Sequence, residues 1–428
     1  GSEADPPDLP GTAQFVASLL NEGTKKRTAQ QIAAAVDGMG AIFDSGAEWD
    51  DSWATLRVLS NHTREGFGLL SDIVIRPAFA PAEIARLRRQ TLSALKVLKR
   101  DPVYMADTLI EREIFWGTPY SHPANGVEES IERLTHASLV RFHGAYYQPS
   151  NAILVAAGDI KTTAAFDLAR EYFGKWNDSR VQPPPIAATP PVPPKARQIV
   201  VIDDPNSVQT EIRVANVGVD RSSPEYVPLI AANQVLGGPA ENWLFTLLRT
   251  RRGLVYGASS SLLCYRGGGA WVIKTSTRTA ETGAAIRIIL RQMKRMDSRP
   301  ISQDELSNAQ DYLVGNMALT SETTPQVASH FLSLMIHNMP LDSWNLKSRK
   351  ILSLTRGGVW DATRQYLNPA TAVIVLVGNA AEFRDSLEGL GSLRIIPMAD
   401  ADLASATLER EAGGYASGQR PASRKHAK

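Results

Sequence analysis

The pattern of apolar and polar residues divides the chain into short apolar runs, typical of strands, and longer amphipathic stretches, typical of helices. Strands are predicted at residues 53–59, 198–203, 211–217 and 269–274, and helices at residues 81–98, 280–296 and 302–318. Pro81 and Ser302 stand where helix starts are expected. Helices on one face of a mainly antiparallel sheet would bury both patterns, so we predict an α+β fold.

One stretch of this pattern occurs twice, 220 residues apart and without a gap. In each copy an amphipathic helix is followed by a Pro, an apolar strand and then Gly-Asp or Gly-Asn, and the strands are predicted at residues 151–157 and 371–377. The identical pairs are Leu134 and Leu354, Thr135 and Thr355, Tyr146 and Tyr366, Pro149 and Pro369, Ala152 and Ala372, Val155 and Val375, and Gly158 and Gly378. A repeat this long indicates two homologous domains and not a solenoid of short units.

Prolines clustered at residues 183–185, 190–191 and 193–194 mark a stiff linker between the two copies. We predict an N-terminal domain at residues 1–180, a linker at 181–197, a C-terminal domain at 198–398 and a flexible tail at 399–428. The C-terminal copy begins with two strands before its first helix, whereas only ten residues precede Gly11. The repeat therefore predicts that the first two strands of the N-terminal domain, and any signal peptide, are missing from this chain.

Composition narrows the classes of function. The 46 basic and 44 acidic residues leave a formal charge of +2, so no basic surplus suggests a nucleic-acid partner. No apolar stretch approaches the length of a membrane span. Cys264 is the one cysteine, which excludes an internal disulfide and a thiolate metal site. A chain of 428 residues with 43% hydrophobic residues is typical of a globular protein with more than one domain.

A motif frame near the start of the chain is kept, whereas the residues that would carry its chemistry are replaced. The frame consists of Gly11, Thr12, Ala13, Gly23, Thr24, Arg27, Thr28 and Ile32. It resembles the insulinase/pitrilysin-like metallopeptidases, the inverted zincins, whose motif runs G-T-A-H-x-x-E-H and continues through G-T and R-T-x-x-x-I. Gln14 stands at the first His of that motif, Ala17 at the Glu and Ser18 at the second His.

The position of the third zinc ligand is replaced as well. In the family this ligand is a Glu on a later helix, in a V-L-E-E-I-like segment ahead of D-P. The matching acidic positions here are Ser93 and Ala94, ahead of Asp101 and Pro102. A catalytic zinc needs about three protein ligands and a water that it acidifies. Amide, methyl and hydroxyl groups do not supply them, so we predict no metal and no other cofactor in this chain.

The second half resembles the non-zinc half of the same family. Residues 243–257 match the family signature R-L-F-x-x-L-R-E-x-x-G-L-A-Y, with Trp243 in place of its first Arg and Thr250 in place of its Glu. Arg249 and Tyr256 match the Arg and Tyr that reach across a clamshell of the two domains into the zinc site. Such a pair can stabilise the negative charge that develops on a peptide carbonyl under attack by water. The alternative is that Arg249 is a solvated cation at a helix end and Tyr256 a half-buried core aromatic.

The resemblance implies that peptide substrates add as an extended strand to a sheet edge. In the family this edge follows a G-G-x-x-N-A segment, and the equivalent residues here are 40–45, with Asp44 in place of the Asn.

The resemblance also implies a function for the whole chain. We expect the non-catalytic subunit of a heterodimeric zinc metallopeptidase, whose homologous partner carries the intact H-x-x-E-H motif and the zinc and receives Arg249 and Tyr256. Bacterial enzymes of this kind and the mitochondrial processing peptidase divide the work between two such subunits. The alternative is a scaffold subunit without a catalytic contribution, like the core subunits of the respiratory bc1 complex. Because such family members are often exported, the periplasm is the expected compartment, and the cytoplasm is the alternative.

Overall fold

The computed structural model of the chain describes residues 1–177, 189–239, 241–405 and 407–409, and it contains strands together with long helices. The strands are β1 (Ile42–Ala47), β2 (Ser52–Arg57), β3 (Gln198–Asp203), β4 (Gln209–Gly218), β5 (Val255–Tyr265), β6 (Gly268–Arg278), β7 (Val373–Gly378) and β8 (Ser392–Pro397). The helices are α1 (Thr12–Leu19), α2 (Ala29–Gly38), α3 (Thr63–Ile75), α4 (Pro81–Leu98), α5 (Pro102–Ile114), α6 (Glu128–Arg133), α7 (His136–Tyr146), α8 (Thr162–Phe173), α9 (Tyr226–Gly237), α10 (Trp243–Phe245), α11 (Thr282–Ser298), α12 (Gln303–Leu319), α13 (Thr324–Ile336), α14 (Ser343–Leu352), α15 (Arg356–Tyr366) and α16 (Ala380–Phe383). The fold is α+β, as the sequence predicts.

The chain forms two compact units whose segments alternate along the sequence. The first unit is drawn from Gly1–Val97, Pro123–Ala187 and Thr320–Leu341, and the second from Leu98–His122, Ala188–Leu319 and Asp342–Lys428. These boundaries differ from the contiguous domains predicted at residues 1–180 and 198–398. Residues 98–122 belong to the second unit because α5 packs against β4 and β7. Of the predicted linker, residues 183–185 lie outside the described residues, and residues 189–197 have no helix or strand.

A six-stranded sheet, in the order β5-β6-β4-β7-β3-β8, organises the second unit. It is antiparallel from β5 to β7, whereas β3 runs parallel to β7 and to β8. Because successive side chains of a strand point to opposite faces, alternate residues such as Ile212, Trp271 and Ile374 meet helices α9, α11, α12 and α15 in one hydrophobic core. Helix α5 lies against the opposite face of the same sheet, where the guanidinium of Arg213 on β4 meets Asp107. All six residues of the central strand β7 are buried.

The sheet of the first unit consists of the β1–β2 hairpin. Helices α1 and α3 contact the hairpin, and α7 and α8 pack on these two helices in turn. One core of this unit is built from Leu20, Ile32, Met39, Leu69 and Ile73.

The strand predicted at residues 151–157 is wrong. The segment has no strand pairing in the described part of the chain, and Ile153 and Leu154 are 38% and 45% exposed. Its repeat partner, residues 371–377, does form β7 because β3 and β4 flank it on both edges. The described residues of the first unit hold no counterparts of β3 and β4. A strand without neighbours leaves its N–H and C=O groups to water, so this apolar segment gains nothing from the ladder.

Two contacts hold the N-terminus of α1 in the first unit: the close approach of Gly11 to Gly126, and hydrogen bonds to the carboxylate of Asp5. Gly11 has a left-handed φ of 90°, and a Cβ at this residue would lie 2.7 Å from the Cα of Gly126. The buried carboxylate of Asp5 accepts hydrogen bonds from the N–H groups of Gly11 and Ala13, each at 2.7 Å, and so caps the helix. Burial, opposed by these backbone hydrogen bonds, raises the pKa of Asp5 to about 7.

The predicted flexible tail is packed over its first part. Residues Met398–Asp400 form a 3₁₀ turn, and Ala401 pairs with Glu409 in an isolated antiparallel bridge. Leu403 and Leu408 are buried, so the tail predicted to begin at residue 399 is wrong as far as residue 409. The apolar leucines explain this, because their burial stabilises a segment whose other residues are small or polar.

Among the described residues, no helix has both the length and the hydropathy needed to cross a membrane.

The repeat supplies a matched pair of substitutions, because Leu154 and Ile374 occupy the same repeat position. We expect Ile374→Ala to lower the free energy of unfolding by about 2–5 kcal/mol, since it opens a cavity in a buried strand. Leu154→Ala should change it by less than about 0.5 kcal/mol, since the side chain is already exposed. Urea unfolding of both variants measures the difference, and equal losses would contradict the unpaired state of residues 151–157.

A second pair separates backbone strain from close packing at α1. Gly40 also has a positive φ, 56°, but nothing lies within 4 Å of a Cβ placed there. Gly40→Ala should therefore lose only the ~1–2 kcal/mol of the left-handed conformation. Gly11→Ala should lose roughly 3 kcal/mol or more, because the backbone of residues 125 and 126 must also move. Thermal unfolding of the two variants tests this, and a Gly11→Ala protein as stable as Gly40→Ala would rule out the contact.

Candidate functional site

The three replaced residues of the zinc motif lie on α1, and two of them, Gln14 and Ala17, contact β1. The Gln14 side-chain oxygen accepts a hydrogen bond from the N–H of Ala47 at 2.9 Å. The main-chain oxygen of Ala17 accepts one from the Ser45 hydroxyl at 2.9 Å, and the Ala17 methyl group is fully buried. Ser18 is half-buried on the same helix. The amide of Gln14 therefore bonds the backbone of a strand at the position where the family motif has an imidazole.

The residues at these positions do not fit a zinc ion. Ser93 and Ala94, at the position of the third ligand, lie exposed on α4. Across the described ranges, no group of three or more His, Cys, Asp or Glu side chains is arranged to hold a metal. Neutral amide and hydroxyl groups without a carboxylate or imidazole are poor zinc ligands. No step of a hydrolytic reaction can therefore be derived from this helix.

The predicted peptide edge on β1 is partly engaged by its own unit. Among the described strands β1 pairs only with β2. The carboxylate of Asp44 accepts from the N–H of Ser45 at 3.0 Å, and the N–H of Ala47 bonds Gln14. These two N–H groups have partners already, so the strand has fewer donors to offer an added peptide.

Arg249 and Tyr256, by contrast, are brought together as a pair. The guanidinium carbon of Arg249 lies 5.1 Å from the centre of the Tyr256 ring and 4.8 Å from the centre of the Phe245 ring. At these distances the cation is attracted to the faces of both rings. The guanidinium of Arg249 therefore contacts the rings of both Phe245 and Tyr256.

A local irregularity in the backbone places the pair. Thr246–Arg251 forms a π-helical turn, a rare conformation that is frequent at functional sites. Gly253, with a φ of 62°, then reverses the chain, and its N–H bonds the main-chain oxygen of Arg249 at 2.9 Å. Glycine takes this conformation without strain. The reversal leads directly into β5, whose second residue is Tyr256.

Both side chains of the pair face solvent. Tyr256 is 87% exposed, and Arg249 is exposed as well. The interpretation of Tyr256 as a half-buried core aromatic is therefore wrong. Tyrosine normally buries its ring and leaves only the hydroxyl in contact with water. An almost fully exposed ring beside a cation is therefore available to a binding partner.

A cavity of about 1180 Å³ adjoins the pair within the second unit. Phe245 and Tyr256 line it together with β5 and with Tyr226 and Asn233 of α9. Strand β5 is an edge of the six-stranded sheet, and among the described strands it pairs only with β6. The cavity thus lies beside backbone groups that no neighbouring strand occupies.

Three charged residues line one side of this cavity, Glu211, Arg213 and Lys274, and they form a network with Asp107 of α5. Arg213 is 3% exposed, and its guanidinium contacts Asp107 at 2.5 Å and Glu211 at 2.8 Å. Lys274 contacts Asp107 at 3.0 Å. Two cations and two carboxylates therefore balance each other, which a buried guanidinium requires. This network was not predicted from the sequence, where its signal is an Arg among the apolar residues Ile212, Val214 and Ala215 of β4.

Trp243 has a packing role that explains its departure from the family signature. The guanidinium carbon of Arg295 lies 3.7 Å from the centre of its ring, and its indole N–H donates to Glu305 at 2.7 Å. These contacts join α10 to α11 and α12. The substitution therefore leaves Arg249 and Tyr256 in place.

The sequence is similar to known proteins of one family. A family model described as Insulinase (Peptidase family M16) matches residues 1–126, and one described as Peptidase M16 inactive domain matches residues 133–313. The chain is 21% identical to the uncharacterized zinc protease YmxG of Bacillus subtilis, over 76% of this chain and 78% of that protein. It is 24% identical to the non-peptidase homolog YmxG of Helicobacter pylori, over 76% of this chain and 74% of that protein.

Solved structures have the same fold. The peptidase M16 inactive domain from Pseudomonas fluorescens superposes with a TM-score of 0.82 at 29% identity, over 88% of this chain and 90% of that one. A protease from Helicobacter pylori superposes with a TM-score of 0.81 at 17% identity, over 88% of this chain and 92% of that one. Two models of one family match in succession, and neutral side chains stand at the zinc positions; the protein belongs to the M16 (insulinase) peptidase family as an inactive homologue.

Proposed function

We propose that this chain is the non-catalytic subunit of a heterodimeric zinc metallopeptidase and lends Arg249 and Tyr256 to the zinc site of a homologous subunit. The observation that carries the proposal is the pair itself, exposed and held together in a chain whose own zinc positions are neutral. The partner would carry the intact H-x-x-E-H motif and the zinc. The proposed compartment is the periplasm, because related subunits of this type are often exported.

The chemistry of the pair suits peptide hydrolysis. When water attacks a peptide carbonyl, negative charge develops on its oxygen, and hydrogen-bond donors held in advance at that point lower the barrier. The Tyr256 hydroxyl is one such donor, and the guanidinium of Arg249 carries five N–H groups and a permanent charge. Because Arg249 rests on Phe245 and Tyr256, less side-chain entropy is lost when the pair binds a substrate.

The pair also argues against a purely structural role. A scaffold subunit gains no stability from a tyrosine ring that is 87% exposed. A buried aromatic at this position would stabilise the unit more. The exposed ring is therefore better explained by a partner or substrate that covers it in the assembled enzyme.

The first prediction concerns the division of labour. This chain alone should not cleave an unfolded peptide, an H-x-x-E-H homologue alone should cleave it slowly, and their mixture should cleave it at least about tenfold faster than the homologue alone. Zinc measured by atomic absorption should be near one equivalent in the partner and near zero in this chain. Cleavage by this chain alone with bound zinc would overturn the interpretation of Gln14, Ala17 and Ser18.

The second prediction concerns the pair within the assembled dimer. Tyr256→Phe removes only a hydroxyl group, and Arg249→Ala removes the cation that holds the ring. Each should lower kcat/KM by roughly 10²-fold, the cost of one oxyanion donor. Arg251→Ala is the control, because Arg251 is an exposed cation of the same π-helical turn. Gel filtration should show an intact dimer in all three; full activity of the Arg249 and Tyr256 variants would instead favour the scaffold.

A further inference from the structure

Two cations lie near one aromatic ring of the second unit, that of Tyr226. The amine of Lys347, on α14, lies 5.9 Å from the centre of the Tyr226 ring and 5.7 Å from the centre of the Trp344 ring. The guanidinium carbon of Arg221 lies 5.9 Å from the centre of the same Tyr226 ring. Trp344 and Lys347 stand three residues apart on the helix and so share a face.

These two cations lie against aromatic rings. Among the described residues, neither Lys347 nor Arg221 forms an ion pair within 4.0 Å. The acidic residues nearest to Arg221 in sequence, Asp220 and Glu225, accept from the hydroxyls of Ser222 at 2.5 Å and Ser223 at 2.6 Å. Lys274, by contrast, forms an ion pair with Asp107 at 3.0 Å.

The surroundings favour the neutral form of the lysine amine. Lys347 is half-buried against the aromatic rings, and this burial, followed by the charge of Arg221, lowers the pKa of its amine to about 8. Strand β5 contributes Cys264, whose thiol pKa burial raises to about 12, so it offers no anion. Helix α12 meets α14 through the uncharged amide of Gln310. At pH 7.5 an amine of this kind is ~25% neutral, against ~0.1% for a free lysine.

We propose that Lys347 is an acylation site of this protein, at which thioesters and acyl phosphates transfer their acyl group to the lysine nitrogen. The neutral amine attacks the acyl carbon, a C–N bond forms and the C–S or C–O bond breaks. The thiolate or phosphate leaves with its electron pair, and the nitrogen loses one proton to water. The product is a neutral amide, so the reaction removes one of the two cations that lie near the Tyr226 ring. Desolvation beside a second cation is a known way to activate a lysine nucleophile.

Acetyl phosphate is the probe for a direct test on the full chain. Peptide mass spectrometry at pH 7.5 should find Lys347 acetylated at least about tenfold faster than Lys294 and Lys274. Lys294 is 66% exposed and pairs with Asp297, and Lys274 is 35% exposed and pairs with Asp107, so the two control for access and for ion pairing. A rate at Lys347 equal to or below that of Lys294 overturns the proposal.

A pH profile separates activation from simple exposure. The acetylation rate at Lys347 should level off above about pH 8, where its amine is mostly neutral. Arg221→Gln removes the neighbouring cation and should move the midpoint for Lys347 upward, with a severalfold slower reaction at pH 7. Arg221→Lys should keep the midpoint, and Arg384→Gln, at an exposed arginine paired with Asp385, should leave it unchanged. A Lys347 midpoint above pH 9.5 in the unaltered protein would contradict the proposal.

Discussion

A buried strand must pair its N–H and C=O groups on both edges, and the second unit depends on this constraint at β7. All six residues of β7 are buried, with β4 on one edge and β3 on the other. Helices α9, α11 and α15 pack on one face of the resulting sheet, and α5 covers the other. The same strand order leaves β5 at the edge of the sheet, and the exposed Tyr256 lies on this edge strand.

Two helices illustrate opposite outcomes of local chemistry. On α1 the Gln14 side-chain oxygen accepts from the N–H of Ala47 on β1, and the main-chain oxygen of Ala17 accepts from the Ser45 hydroxyl. At the π-helical turn Thr246–Arg251, the side chain of Arg249 instead turns to solvent and stacks on Phe245 and Tyr256. The side chain at the first zinc position is thus used to hold α1 against β1, whereas the side chains of the exposed pair face solvent.

The cations of the second unit have two kinds of neighbour, carboxylates and aromatic rings. The buried Arg213 has Asp107 and Glu211 as partners, and without them its desolvation would be costly. Arg221 and Lys347 have aromatic rings in place of carboxylates, and the lysine responds by a lowered pKa. Pairing keeps the first cluster inert, and the lack of pairing makes the second one reactive.

The sequence by itself determined the α+β class, the bounds of β3 and α4, the family frame and the loss of every zinc ligand, because these follow from local periodicity, helix starts and the identity of side chains. The closeness of Arg249 and Tyr256 was also readable from their spacing in the frame. Only the tertiary structure decided that residues 151–157 stay unpaired while residues 373–377 form β7, although the two segments match in the repeat. It alone decided that α5 belongs to the second unit, that Leu403 and Leu408 are buried, and that Lys347 meets Arg221. Each of these depends on neighbours distant in sequence, and no local pattern records whether a strand, a leucine or a charge will find one.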